Sequence, residues 1–140
     1  MVTCDEAKQR YPEAEVFSFG DTPELIAELT ALVRSGAKRA TCSAMADIEA
    51  GRQAPPRVGR RDIALAPDGT PALVIETLEL RETTWEMMTE EMALAEGENE
   101  TLAGWREGHK RYYTRQGIFD PDMKLIWERF EVVEDFGADG

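Results

Sequence analysis

The segment Pro67-Asp68-Gly69-Thr70-Pro71 constrains this chain more than any other. It gathers residues that reverse a backbone: a glycine free to take a positive φ, an aspartate suited to turns, and prolines that cannot continue a sheet ladder. Upstream, Ile63 and Leu65 alternate with Asp62 and Ala64, and downstream Ala72 to Leu80 is rich in β-forming residues. The pattern predicts a β-hairpin beginning at about Arg61. Before it, Asp21 or Thr22 is placed to cap a helix with Pro23 in its first turn, and Leu25, Ile26, Leu29, Leu32 and Val33 recur at helical spacing until Gly36. These signals predict a helix over 22–35. Arg39 to Ser43 reads as the first core strand, and Ala44 to Ala50 as a short helix stopped by Gly51. After the hairpin, 84–117 reads as two helices separated at Gly97-Glu98-Asn99-Glu100, and Lys124 to Val133 as a closing strand followed by a fraying acidic tail over 134–140. This order predicts an α+β fold, a small, mostly antiparallel β-barrel with flanking helices.

The length of 140 residues predicts one domain over 1–140, and 42% apolar against 31% charged residues supplies a core without the bias of a disordered chain. No apolar run approaches the roughly 20 residues that span a bilayer, and the start lacks the basic-then-apolar pattern of a secretory leader. Only Cys4 and Cys42 are present, too few for a disulfide framework, so a cytoplasmic setting with no membrane partner is expected. The net charge of -12 opposes binding to duplex DNA. Basic residues nevertheless concentrate in two stretches, from Arg34 to Arg61 and from Trp105 to Arg115. If these meet in the fold they form a small basic cleft, suited to a nucleotide or a short single strand.

Chemistry is expected first at Gly36-Ala37-Lys38-Arg39-Ala40-Thr41. A helix stop leading into a strand permits Lys38 to approach the Thr41 hydroxyl, which would pair a base with a nucleophile if burial or a cation such as Arg39 frees the lysine lone pair. Glu76 and Glu128 each share a strand face with apolar residues and need a partner, while Glu96 stands before the Gly97 break, where a helix end presents its side chain to a cleft. Any of these acids is a possible partner for Lys38; the alternative is a structural ion pair for Glu76 and Glu128, and for Glu96 a solvated loop acid in the acidic run Glu96-Gly97-Glu98-Asn99-Glu100. Trp105, His109 and Tyr112 or Tyr113 form an aromatic stripe on one helix beside Arg106, Lys110 and Arg111. Such a stripe either packs in the core or stacks a nucleobase while the cations meet its phosphate. With one histidine and no cysteine cluster, no metal site is expected. No phosphate-binding loop, dinucleotide fingerprint or nucleophile elbow is present, and no cofactor is expected.

Taken together, Phe17-Ser18-Phe19-Gly20-Asp21, Leu32-Val33, Gly36 to Ser43, Glu96-Gly97-Glu98, Trp105-Arg106 with His109, and Glu128-Arg129-Phe130 resemble the ASCH domain family, whose members share a Gly-x-Lys-x-x-Thr motif. The resemblance spans about 16–133 and implies a PUA-like β-barrel with RNA-related roles. One small bacterial branch hydrolyses the acetyl amide of N4-acetylcytidine with a Lys, a Thr three residues on and a distant Glu. By that resemblance Lys38, Thr41 and Glu96 would be catalytic, Lys38 activating Thr41 or a water and Glu96 shuttling the proton to the leaving amine. The branch carries an Arg two residues after its Thr where this chain has Ser43, leaving Arg39 or Arg57 to orient a substrate. Other members are ribonucleases or RNA binders. The alternative implied here is therefore a module for short single-stranded RNA, with Lys38, Arg39, Arg57, Arg106 and Lys110 on phosphate and Trp105 or Tyr112 on a base. The expected partner is accordingly a nucleoside-like small molecule or a short single strand.

Overall fold

The computed structural model describes residues 2–137. Its elements follow in the order α1 (Cys4–Arg10), β1 (Val16–Phe17), α2 (Pro23–Ser35), β2 (Ala40–Ala44), α3 (Met45–Glu49), β3 (Arg61–Leu65), β4 (Pro71–Thr84), α4 (Glu90–Ala95), α5 (Leu102–Arg115) and β5 (Lys124–Asp135). The helix starts obey their capping residues. The Thr22 side chain accepts the Leu25 N–H, and Thr89 and Thr101 serve α4 and α5 in the same way. At the other end of α2, Gly36 takes φ 86°, so the chain turns at once toward β2. The hairpin forms with β3 antiparallel to β4.

Among the described residues five strands form one sheet in the order β1-β3-β4-β5-β2, antiparallel throughout except for the parallel β1/β3 pair. β4 is the spine. Its 14 residues pair with β3 and β5, and register shifts at Val74/Ile75 and Thr77/Glu79 bend it. One side of the sheet packs Leu73, Ile75 and Phe130 against Phe19 and the α2 residues Leu29 and Val33. Another cluster packs Ala40, Leu125 and Trp127 against Met92, Trp105 and Tyr113 of α4 and α5.

The expected α+β class holds, but the expected barrel is not closed: β1 and β2 remain the two edges of the sheet. β1 has only two residues, so it offers too short a ladder to meet β2. Consequently β2, read from the sequence as a core strand, is an edge strand paired with β5 alone. Three further boundaries differ. A helix at Cys4–Arg10, started by a Thr3/Glu6 capping box, has no counterpart in the sequence reading. Helix does not begin at Thr84 because β4 continues to that residue and α4 waits for the Thr89 cap. Glu134 and Asp135 belong to β5, where Arg10 and Arg34 pair with them, so the predicted tail begins later; residues 138–140 lie outside the described residues.

Candidate functional site

A cavity of about 640 Å³ occupies the gap between the two sheet edges. Val16 to Gly20 at β1 and Thr41, Cys42 and Ser43 of β2 line opposing parts of it, and Glu96, Glu98, His109, Tyr112 and Tyr113 come from α4, α5 and the turn between them. This volume falls within the roughly 300–1,000 Å³ of small-ligand pockets. The two basic stretches do meet here, through Arg52 and Arg60 on one side and Arg111 and Arg115 on the other. Each of these arginines already faces an acid, Asp47, Asp62, Glu107 and Asp21 respectively. With Glu15, Glu28, Glu96, Glu98 and Glu128 also lining the cavity, the expected basic cleft becomes a mixed one that favours a polar, largely uncharged ligand.

Behind the cavity wall lies a buried charge network. Lys38 and Glu96 are 2% and 1% exposed. The Lys38 ammonium donates to Ala40 O at 2.8 Å, Glu96 O at 3.3 Å and Glu98 Oε2 at 2.7 Å, and it stands 3.7 Å from Glu96 Oε1. All its hydrogens are thus engaged, and no hydrogen bond joins it to Thr41 among the described residues. Glu96 receives Trp105 Nε1–H at 2.7 Å and the Cys42 thiol at 3.4 Å on Oε2, while His109 Nε2 lies 3.4 Å from Oε1. Burial alone would raise the Glu96 pKa, but the hydrogen bond from His109 and the Lys38 charge outweigh it and hold the carboxyl below its ordinary value. For His109, burial opposes the charged form, and the Glu96 carboxylate reverses that effect and raises the imidazole pKa. His109 Nδ1 lies 2.9 Å from Trp105 O, so this nitrogen carries a hydrogen, and the ring stacks on Trp105 at 4.1 Å. The Cys42 thiol is pushed well up, by burial first and then by Glu96, which keeps it from acting as a thiolate.

Local sequence explains how the network is assembled. The turn after α2 hydrogen-bonds Lys38 N–H to Leu32 O and Arg39 N–H to Ala95 O, tying the lysine segment to the end of α4. Gly97 lets the acidic turn come close. At φ 72° it occupies left-handed space, and a side chain there would place its first carbon 2.2 Å from Ala37 O and 2.7 Å from Lys38 Cα.

On β2 the residues alternate. Cys42 meets Glu96, and Thr41 points to the other face, where its cross-strand partner is Glu128. Phe130 N–H bonds to Arg39 O, so with this register Thr41/Glu128 is a hydrogen-bonded pair. The backbone N–H and C=O of Cys42 therefore point away from β5, toward the open edge that borders the cavity. Glu128 is 6% exposed, forms no ion pair among the described residues, and accepts one hydrogen bond, from Thr77 Oγ1 to Oε2. Burial raises its pKa against the opposing effect of Thr77.

The cavity takes in Thr41, Ser43, Glu96, His109 and Tyr112 of the residues expected from the sequence. Ser43 accepts a hydrogen bond from Gln53, and Lys38 stands behind the wall. Five others are placed elsewhere. Trp105 is wholly buried and spends its N–H on Glu96, so it is a core residue and no stacking platform. Arg106 donates to Glu86 O, Lys110 lies over Phe119, Arg39 is exposed, and Arg57 lines a separate hollow near Glu13. Glu76 pairs with Arg61, leaving Glu96 as the Lys38 partner among the three acids considered. Glu98, closer still to Lys38, was hidden in an acidic run that reads as solvated. Glu96, Glu98 and His109 bring potential metal-donor atoms within 4.8 Å of one another, but the positive charge between these acids is the Lys38 ammonium.

The ASCH domain family model matches residues 15–134. Among solved structures, an Enterococcus faecalis V583 protein is 30% identical, with a TM-score of 0.82 over 96% of this chain and 88% of that one. An ASCH domain from Lactobacillus crispatus is 28% identical, with a TM-score of 0.79 over 94% and 86%. ASCH from Zymomonas mobilis, 14% identical with a TM-score of 0.53 over 89% and 73%, shares the fold. No curated protein matches the chain. The element order, the Gly36 to Thr41 turn and the family match agree: this chain belongs to the ASCH domain family.

Proposed function

We propose that the protein hydrolyses the acyl amide of a modified pyrimidine nucleoside such as N4-acetylcytidine. The observation that carries this reading is Glu96, a carboxylate buried at a cavity wall and kept ionised by Lys38 and His109. A carboxylate that stays ionised at a cleft wall is in the form that accepts a proton from a water, the role hydrolysis requires. Because β2 sends Thr41 and Cys42 to opposite faces, Glu96 serves a water better than it serves the Thr41 hydroxyl. The weak Cys42 thiol donor is the contact that such a water displaces.

In the step proposed, Glu96 takes a proton from the water and the hydroxide oxygen bonds to the acyl carbon while the C=O pair moves onto oxygen. The Cys42 N–H, which points to the open edge of β2 beside Glu96, meets that oxyanion. Collapse restores C=O, breaks the C–N bond and returns the proton from Glu96 to the departing amine. Lys38 and His109 hold Glu96 in place and are positioning residues. Chromatography of N4-acetylcytidine incubated with the protein should show cytidine release, reduced by a factor of about 10²–10⁴ in Glu96→Gln. Undiminished release by that variant overturns the reading.

A second reading draws on a hollow of about 360 Å³ lined by Arg10, Arg57, Arg60 and Arg61 with Glu13, where phosphates would have to displace the acids Glu134, Glu13, Asp62 and Glu76 that these arginines face; Arg60 also lines the main cavity. A short single-stranded RNA placing its terminal nucleoside in the cavity would lay its phosphates on these arginines. Its signature is a binding constant that falls steeply with salt and is insensitive to Glu96→Gln.

A further inference from the structure

Glu128 is a buried acid that the hydrolytic step leaves without a role. Its surroundings are built for a group that meets a ligand rather than for an ion pair. Thr77 of β4 donates to Oε2, and Thr41 of β2 lies across the strand pair. The charges that act on it are those of Asp62 and Arg60, which are engaged with each other through two hydrogen bonds. Oε1 has no partner among the described residues, yet it is not sealed from the cavity that Glu128 lines. A carboxyl so placed offers one free oxygen to whatever enters between β2 and β1.

We propose that Glu128 reads the ring of the bound ligand, its Oε1 hydroxyl donating a hydrogen bond to an unprotonated ring nitrogen or ring carbonyl. With Oε2 accepting from Thr77, the acid proton falls to Oε1, the oxygen without a partner among the described residues, on a side chain that lines the cavity. The ligand class is then a heteroaromatic ring with an acceptor on its edge, as in cytosine. The inference rests on the pyrimidine nucleoside reading and adds a specificity-determining residue on the opposite face of β2 from Glu96. Burial raises the Glu128 pKa, the direction that favours the protonated form.

Calorimetric titration with cytidine tests it without requiring turnover. Glu128→Ala should weaken cytidine binding about tenfold, the worth of one hydrogen bond to a buried group. Glu128→Gln, whose amide can donate to the cavity while its carbonyl accepts from Thr77, should bind within about threefold of the wild type, since one neutral donor replaces another. Wild-type affinity should fall as pH rises through the Glu128 titration, and that of the Gln variant should stay level. Unchanged binding by the Ala variant, or tenfold weaker binding by a Gln variant that melts normally, overturns the role of Glu128 and leaves the nucleoside reading standing. A wild type that fails to bind cytidine overturns both.

Discussion

Glu96 and Glu128 are both buried glutamates on the wall of one cavity, one on each side of β2, and their settings are opposite. Trp105, Cys42, His109 and Lys38 surround Glu96 with donors and positive charge, whereas Glu128 has, among the described residues, one threonine hydroxyl. Burial does not by itself set a carboxyl's state: desolvation is outweighed by donors and charge at Glu96 and stands at Glu128. Pairs of acids pushed apart in this way mark proton-handling sites. Their effects on stability also differ in sign. The lowered pKa of Glu96 contributes stability that is present above the unfolded value and lost as pH falls through the folded one. The raised pKa of Glu128 does the reverse: stability declines as pH rises from the unfolded carboxyl value through the folded one.

Removing the Lys38 charge that holds Glu96 on its side of the comparison should have the largest effect. Lys38→Met leaves Glu96 and Glu98 facing each other without their ammonium, and breaking a buried pair this way costs about 3–5 kcal/mol. Urea unfolding should register that loss, and restoring Lys38-like stability by adding Glu98→Gln would show that the cost is electrostatic. Gly97→Ala comes next. The left-handed backbone alone costs about 1–3 kcal/mol for a residue with a side chain, and the contact with Ala37 O forces the acidic turn away from Lys38. Its melting temperature should drop, and cytidine release should fall with it. A Gly97→Ala variant with normal turnover would mean that the distance between Lys38 and Glu96 does not matter for chemistry.

Much of this was legible in the residues. The hairpin, the α2 caps and the Gly36 stop are local signals, and each sits where its turn chemistry placed it. Lys38 and Thr41 stand out in the turn after α2 and Glu96 before the Gly97 break, and only the family resemblance joined the three; their mutual geometry is not in the spacing. Lys38 and Thr41 are three residues apart in the chain, and the hydrogen bonds of Lys38 go to residues at the end of α4, which only the tertiary fold brings near. Trp105 was misleading for the same reason. A tryptophan at helical spacing from a histidine reads equally as core or as a stacking surface, and its burial depends on the sheet beneath it. Glu98 shows the converse, because acidic runs usually face water, and here Gly97 bends the run over a buried lysine.

The smallest expected effect lies on the Glu128 side and sharpens the comparison most. Thr77→Val keeps the shape of the side chain and removes the one hydroxyl donor to Glu128. A neutral hydrogen bond of this kind is worth about 1 kcal/mol, so the melting temperature should change little. The pH dependence should move more clearly. Thr77 opposes the burial-driven rise of the Glu128 pKa, so its loss lets that pKa climb further. If Glu128 binds the ligand as a neutral donor, cytidine affinity in Thr77→Val should persist to higher pH than in the wild type. If the carboxylate were the binding form, affinity would instead rise with pH and the variant would lag behind the wild type. An affinity profile that shifts upward in Thr77→Val, with Glu96→Gln leaving that profile in place, would establish that the two acids titrate for different purposes within one cavity.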